Sequence, residues 1–360
     1  MQQSVNGPAM ETLCYLKYGN NQLYDLELSY SVLTAKKFSL SSPLRIVLLT
    51  TACGVRSDLP VEHVIISDNQ LNNWTRGGAY MHEAKIHAVA AALDRYQGKV
   101  VLIDTDTYFT ADPHFIFGRI DANSSVMHAN DGMLGEHGYW QTLLKAVPGE
   151  VAKYAVLPSS NMYNSGVVGI DFANRHVLAD VLALSRALHE IDPVFNIEQF
   201  AFTAVLSRHT KLVLCADVVK HYWGFQRRFV HAEVRRRWSN RTEAEFNNLI
   251  NQHFSVGIPD KPLRHKIHSR IRAALGRQSR TYAFAHLAYL CAQSCNDDIL
   301  ANCWAHVALD ALLDARADPR VANSDFKSFA PSGIGKLRWM DDDVRERWLQ
   351  YWSKAGGTLV

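Results

Sequence analysis

Asp104 and Asp106 stand two residues apart, directly after the run Lys99-Val100-Val101-Leu102-Ile103. A strand with no polar face belongs inside an α/β sheet, covered by helices on both sides. Its carboxyl end is where open α/β sheets bind ligands. Two carboxylates placed there offer oxygen donors to a hard divalent cation, Mg²⁺ or Mn²⁺, which commonly bridges to substrate phosphates. An Asp-x-Asp pair is also frequent as two solvated loop carboxylates. The apolar strand in front of this one is what favours metal chemistry.

The elements that must position this pair follow from hydrophobic spacing. Strand-like runs cover Thr12–Leu16, Arg45–Thr50, Val61–Ile66, Lys99–Ile103, Ser125–His128, Gly166–Ile170 and Lys211–Val219. Helical patterns cover Gln22–Lys37, Lys85–Tyr96, Gly138–Ala146, Arg175–Ile191 and Glu198–Arg208. Their alternation predicts a layered α/β domain at about residues 10–230. Beyond it the strand signal ends. Helical segments around 243–253, 262–275, 281–294, 298–314 and 343–352 predict an α-helical C-terminal region over 231–360.

Composition narrows the function classes. The 360 residues are 48% apolar and 20% charged, a globular mix, and the net charge of +3 is too small to point to nucleic acid as a partner. No uncharged apolar stretch approaches the roughly 18 residues that a membrane span requires. The first ten residues lack the basic-then-apolar order of a signal peptide. A cytoplasmic protein with six reduced cysteines is the expectation.

With these motifs in order, the chain resembles the metal-dependent nucleotide-sugar glycosyltransferases of the GT-A fold. It is most similar to the retaining family eight, which includes glycogenin and lipopolysaccharide galactosyltransferases. The likeness spans roughly residues 11–226. It rests on Tyr15-Leu16-Lys17-Tyr18 at the first strand end, Lys85 at a helix start, the Asp104-x-Asp106 pair, Tyr163-Asn164-Ser165-Gly166, Glu198-Gln199, and Lys220-His221-Tyr222-Trp223-Gly224.

The resemblance implies a GT-A (Rossmann-like) domain with a helical appendage. It implies transfer of a hexose from a nucleotide diphosphate sugar, a UDP-sugar in particular, to a hydroxyl acceptor with retention. Asp106 and His221 would bind the metal, with Asp104 on the metal or the ribose; an imidazole ligand favours Mn²⁺ over Mg²⁺. Lys85, Thr105, Gly166 and Tyr18 would contact the nucleotide sugar, Tyr18 by stacking on the base. Asn164, Glu198 and Gln199 would face the reacting sugar, with Gln199 where a nucleophile would otherwise stand. The family's phosphate-binding lysine of the late segment is missing after Gly224, where Arg227 and Arg228 are the nearest cations. The acceptor would be a bacterial surface glycan, a lipid-linked saccharide or a protein.

Other signals point elsewhere. Lys261 to Arg280 holds seven Lys/Arg and no acidic residue, the pattern of a solvated helix face or of a peripheral contact at the inner face of a membrane. Cys291, Cys295, Cys303 and His306 match no standard zinc spacing and read as helix packing. Asp-x-Asp after a strand also occurs in haloacid-dehalogenase-like phosphatases, with Asp341-Asp342-Asp343 as later ligands. Against this, Tyr108 occupies the position four after the first Asp, where that family has Thr or Val. A nucleotidyltransferase would need a Gly-rich loop that Lys17-Tyr18-Gly19-Asn20-Asn21 does not supply. A non-catalytic sugar-nucleotide-binding relative would have lost the carboxylate pair.

Overall fold

The apolar run Lys99–Ile103 is the middle strand of a seven-stranded sheet in the computed structural model. The structure describes residues 11–39, 43–136, 140–141, 144, 149, 153–191, 196–237, 248, 259–276, 279–317 and 342–354. We number the strands β1 (Thr12–Leu16), β2 (Arg45–Thr50), β3 (Glu62–Ile65), β4 (Lys99–Ile103), β5 (Thr107–Phe109), β6 (Ser124–Met127), β7 (Asn130–Met133), β8 (Asn161–Tyr163), β9 (Val167–Asp171), β10 (Lys211–Leu214) and β11 (Val219–His221). The sheet order is β10-β6-β9-β4-β1-β2-β3. Every neighbouring pair is parallel except those of β9, which runs antiparallel to both β4 and β6. The α/β class read from the sequence is the class of this domain.

Helices cover both faces, as the unbroken apolar strands require. Successive side chains of a strand point to opposite faces. Cys14 joins the core cluster shared with helix α3 (Glu83–Tyr96), while its neighbour Tyr15 bonds Ser31 of helix α1 (Gln22–Phe38) at 2.9 Å. Helix α1 starts where Asn21 caps the Leu23 N–H. Helix α2 (Asp68–Trp74) is capped likewise by Ser67. Beside α3 pack α5 (Leu178–Ile191) and α6 (Ile197–His209), and α4 (His114–Phe117) is a single turn.

The reversed strand decides where functional residues gather. Parallel strands β1, β4 and β6 end at one edge, and β9, running backwards, begins there. Residues after β1, β4 and β6 and those before β9 therefore share that edge.

The expected single strand Lys211–Val219 is two strands. A turn at Cys215–Val218, closed by the Val218 N–H on the Cys215 carbonyl at 2.9 Å, separates them. Asp217 in that turn takes a two-pronged bond from Arg119 at 2.7 and 2.6 Å. Strand β11 then pairs antiparallel with β5, His221 opposite Thr107. The helix expected from Arg175 opens instead with a 3₁₀ segment, Phe172–Val177, capped by Asp171. Of the helix expected over 138–146 the described residues include only Trp140, Gln141 and Leu144, and the one expected over 243–253 lies outside them apart from residue 248.

A second compact unit begins at Trp223. Its described helices are α7 (Gln226–Arg237), α8 (Leu263–Leu275), α9 (Arg280–Ser294), α10 (Asp298–Ala317) and α11 (Asp342–Lys354). They bury Phe229 against Trp304, ring centroids 4.7 Å apart, and Tyr289 against Trp348. Arg228 and Arg347 both bind Asp310, at 2.9 and 2.7 Å. No helix among the described residues is long and apolar enough to cross a membrane.

One buried charge anchors α3. Glu83, fully buried in the first helical turn, accepts two bonds from Arg186 of α5, at 3.0 and 2.6 Å. Removing the guanidinium strands a carboxylate in the core. Arg186→Ala is expected to cost about 2 kcal/mol, less than for a fully buried pair because Arg186 is half in water. Chemical denaturation reads that loss directly, and Glu83→Gln in the same background is expected to recover part of it.

Candidate functional site

Asp104 and Asp106 leave the carboxyl end of β4 together, but their partners separate their roles. Lys85, in the first turn of α3, donates to Asp104 Oδ2 at 2.6 Å and lies 3.7 Å from Glu198 Oε1. Burial alone would lower the Lys85 pKa. The Asp104, Glu198 and Asp106 carboxylates outweigh burial and hold it above the ordinary lysine value. Asp106 faces His221, its Oδ1 3.2 Å from Nε2, while Asp104 Oδ2 lies 4.0 Å from the same nitrogen.

The pairing of β5 with β11 brings His221 there. A further bond from the Tyr222 N–H to the Asp106 carbonyl, 3.0 Å, fixes the crossing. Asp104, Asp106 and His221 each offer a ligand atom, all within 4.8 Å of one another, and are the only such group of three or more among the described residues. Cys291, Cys295, Cys303 and His306 form none.

The state of His221 follows from its hydrogen bonds. Asn164 Oδ1 accepts the Gly166 N–H at 2.9 Å, and Asn164 Nδ2 donates to Asp131 at 3.2 Å, so the amide orientation is determined. That oxygen lies 2.8 Å from His221 Nδ1, which must therefore carry the proton. With Nδ1 turned to Asn164, it is Nε2 that faces the two aspartates. This is how an outer partner prepares an imidazole to bind a metal. Two carboxylates and one such imidazole fit a hard or borderline divalent cation. His128, 5.6 Å from His221 edge-on, stays neutral. Burial and then His221 push its pKa down to about 4, and its Nε2 donates to the Val219 carbonyl at 3.0 Å.

The remaining expected residues are placed as follows. A side chain at Gly166 would meet the His221 ring at 2.3 Å, so the glycine makes room for the imidazole. Glu198 is buried; it accepts from Tyr80 at 2.8 Å and Ser165 at 3.1 Å beside Lys85. Gln199 Oε1 accepts the Ser165 N–H at 3.3 Å and its Nε2 donates to Asp131 at 3.1 Å. Thr105 turns its hydroxyl to Glu27 of α1, at 3.2 Å. Tyr18 lines a 280 Å³ cavity with Asp68, Leu71, Asn72, Thr75, Gly77, Gly78 and Met81. Arg227 and Arg228 belong to the second unit, where Arg228 is held by Asp310.

Two site residues escape the sequence reading. Asp131 gathers the amides of Asn164 and Gln199 onto one oxygen, and Tyr80 both receives the Glu198 N–H at 2.9 Å and donates to its carboxylate. Neither lies in a motif; each is recognisable only once its partners are in space.

No protein-family model matches the chain, and no curated protein does. Solved structures do. Mouse xyloside xylosyltransferase 1 in its apo form aligns at 12% identity and a TM-score of 0.40 over 57% of this chain and 85% of that one. The apo structure of the bifunctional glycosyltransferase WbbM aligns at 13% identity and 0.40 over 60% of this chain and 40% of that one, so less than half of WbbM is spanned.

Asn164→Ala removes the acceptor that holds the His221 proton on Nδ1. It is expected to weaken Mn²⁺ binding about 10- to 100-fold, as loss of an outer-shell partner does. Titration calorimetry with Mn²⁺ measures this, alongside a melting curve shifted by no more than a few degrees.

Proposed function

We propose that the chain is a metal-dependent glycosyltransferase of the GT-A type, which moves a hexose from a nucleoside diphosphate sugar, UDP-linked in particular, to a hydroxyl acceptor with retention. The observation that carries this reading is the Asp104–Asp106–His221 group beside Lys85 at the edge of the sheet. Those three residues would hold the cation, Mn²⁺ in preference to Mg²⁺. Bound there, it supplies Lewis-acid neutralisation of a diphosphate leaving group.

The chain's own residues do the rest. Lys85 presents a permanently charged ammonium next to the same carboxylates, suited to a phosphate oxygen as negative charge builds on the leaving group. Glu198, locked by Tyr80 and Ser165, keeps that ammonium in place. The Tyr18 cavity offers an aromatic ring and the Asn72 amide, which suit a nucleobase. Asp131 fixes Gln199 and Asn164 side by side, where their polar atoms can meet sugar hydroxyls. In this reading Gln199, held by the Ser165 N–H and Asp131, would stand where a nucleophile is otherwise expected, and retention would proceed without a stable covalent intermediate. The acceptor class we favour is a cell-envelope glycan.

A panel of nucleotide sugars with Mn²⁺, scored for thermal stabilisation and for donor hydrolysis, tests the reading; it fails if none stabilises the protein and none turns over. Asp106→Asn is expected to lower turnover at least about a hundredfold with the fold intact by circular dichroism. Lys85→Met is expected to weaken UDP binding about tenfold, read by calorimetry at saturating Mn²⁺.

A further inference from the structure

Helix α8 presents an apolar ridge to solvent. Leu263, Ile267, Ile271 and Leu275 recur every fourth residue and are 70%, 50%, 53% and 83% exposed. At about 100° per residue they cover an arc of roughly 120°, and the helix carries them along about 18 Å. The opposite side meets the unit's own packing: Ser269 and Ala273 are buried, and Ser269 Oγ lies 3.1 Å from His286 Nδ1 of α9. The ridge is therefore the outward face of a docked helix.

The flanks of the ridge are basic. Arg264 and His268 lie along one side, Lys266 and Arg270 along the other, all exposed. No acidic residue occurs between Lys261 and Arg280. Burying apolar ridge residues would favour a greasy partner, and the cations beside them would favour an anionic one. A lone basic flank would suit any polyanion, but four large aliphatic side chains gain nothing from a hydrophilic polymer. A second copy of the same helix, laid along the ridge, would set Arg264, Lys266 and Arg270 near their own counterparts.

We propose that α8 is an interfacial helix that docks the protein on an anionic phospholipid bilayer. The four aliphatic side chains enter the acyl boundary, while the long Arg and Lys side chains reach outward to the headgroups. This attachment is independent of the sugar-transfer reading.

Sedimentation of the full chain with vesicles tests it, comparing phosphatidylcholine alone with phosphatidylcholine mixed with phosphatidylglycerol. The mixed vesicles are expected to bind the protein about tenfold or more better, with binding lost at high salt. Joint substitution Ile267→Gln, Ile271→Gln and Leu275→Gln touches only exposed side chains. It is expected to reduce binding about tenfold or more with an unchanged melting temperature. Replacing Arg264, Lys266 and Arg270 by Gln is expected to erase the anionic preference, at about fivefold per residue. Absence of vesicle binding, equal binding to both compositions, or full binding by the apolar triple variant would each overturn the proposal. So would a concentration-dependent dimer that this variant dissolves, or dextran sulfate binding as tight as vesicle binding and untouched by it.

Discussion

Negative charge concentrated at one edge of the sheet is the constraint on which the rest of the structure depends. Asp104, Asp106 and Glu198 all act on a single ammonium, that of Lys85. Carboxylates brought this close repel one another, and partial burial deepens the cost unless cations or donors answer them. Glu198 is answered by Tyr80 and Ser165 as well as Lys85. Asp106 has His221 Nε2 at 3.2 Å, on a ring whose far nitrogen is held by Asn164. Asp104 Oδ2, Asp106 Oδ1 and His221 Nε2 thus converge on one space. Such a space attracts a cation.

Topology explains how residues so far apart in sequence come to share it. If β9 ran parallel to β4, Asn164 and Gly166 would lie at the other end of the sheet, about 15 Å away at some 3.3 Å per residue. The antiparallel insertion instead sets Gly166 beside Asp104, with the Asp104 N–H on the Gly166 carbonyl at 2.9 Å. His221 needs a second device. Its strand must leave the direction of β10, cross the edge and pair with β5, and the Cys215–Val218 turn makes that possible.

How much of this was legible in the sequence follows the range of each interaction. The apolar strands Thr12–Leu16, Arg45–Thr50 and Lys99–Ile103 are written locally, because burial on both faces leaves a continuous hydrophobic run, and their limits match. The helix α3 shows its buried face through Ile86, Val89 and Leu93. Strands β5, β8 and β11 are three residues long, below the length at which alternation can be recognised, and β7 (Asn-Asp-Gly-Met) holds a single large apolar side chain. They form because partners distant in the chain complete their hydrogen bonds. The division of labour within the site is of the same kind. Asp-x-Asp announces two carboxylates, but that one is tied to a lysine and the other to an imidazole is a fact of three dimensions. Asp131 carries no local signal, and its role exists only through the two amides it holds.

The link between Lys85 and Asp104 has a consequence for the proposed chemistry. As it stands, the ammonium and the carboxylate neutralise each other at 2.6 Å. A cation at Asp104 and Asp106 would compete with Lys85 for the same oxygen, and a diphosphate arriving beside it would offer Lys85 a replacement partner. In the proposed chemistry each ligand would remove the cost the other meets alone: the metal would free the lysine, and the phosphate would compensate the freed lysine's charge, a positive and reciprocal coupling. Glu198, 3.7 Å from Lys85 on its other side, holds the ammonium at this edge in either case.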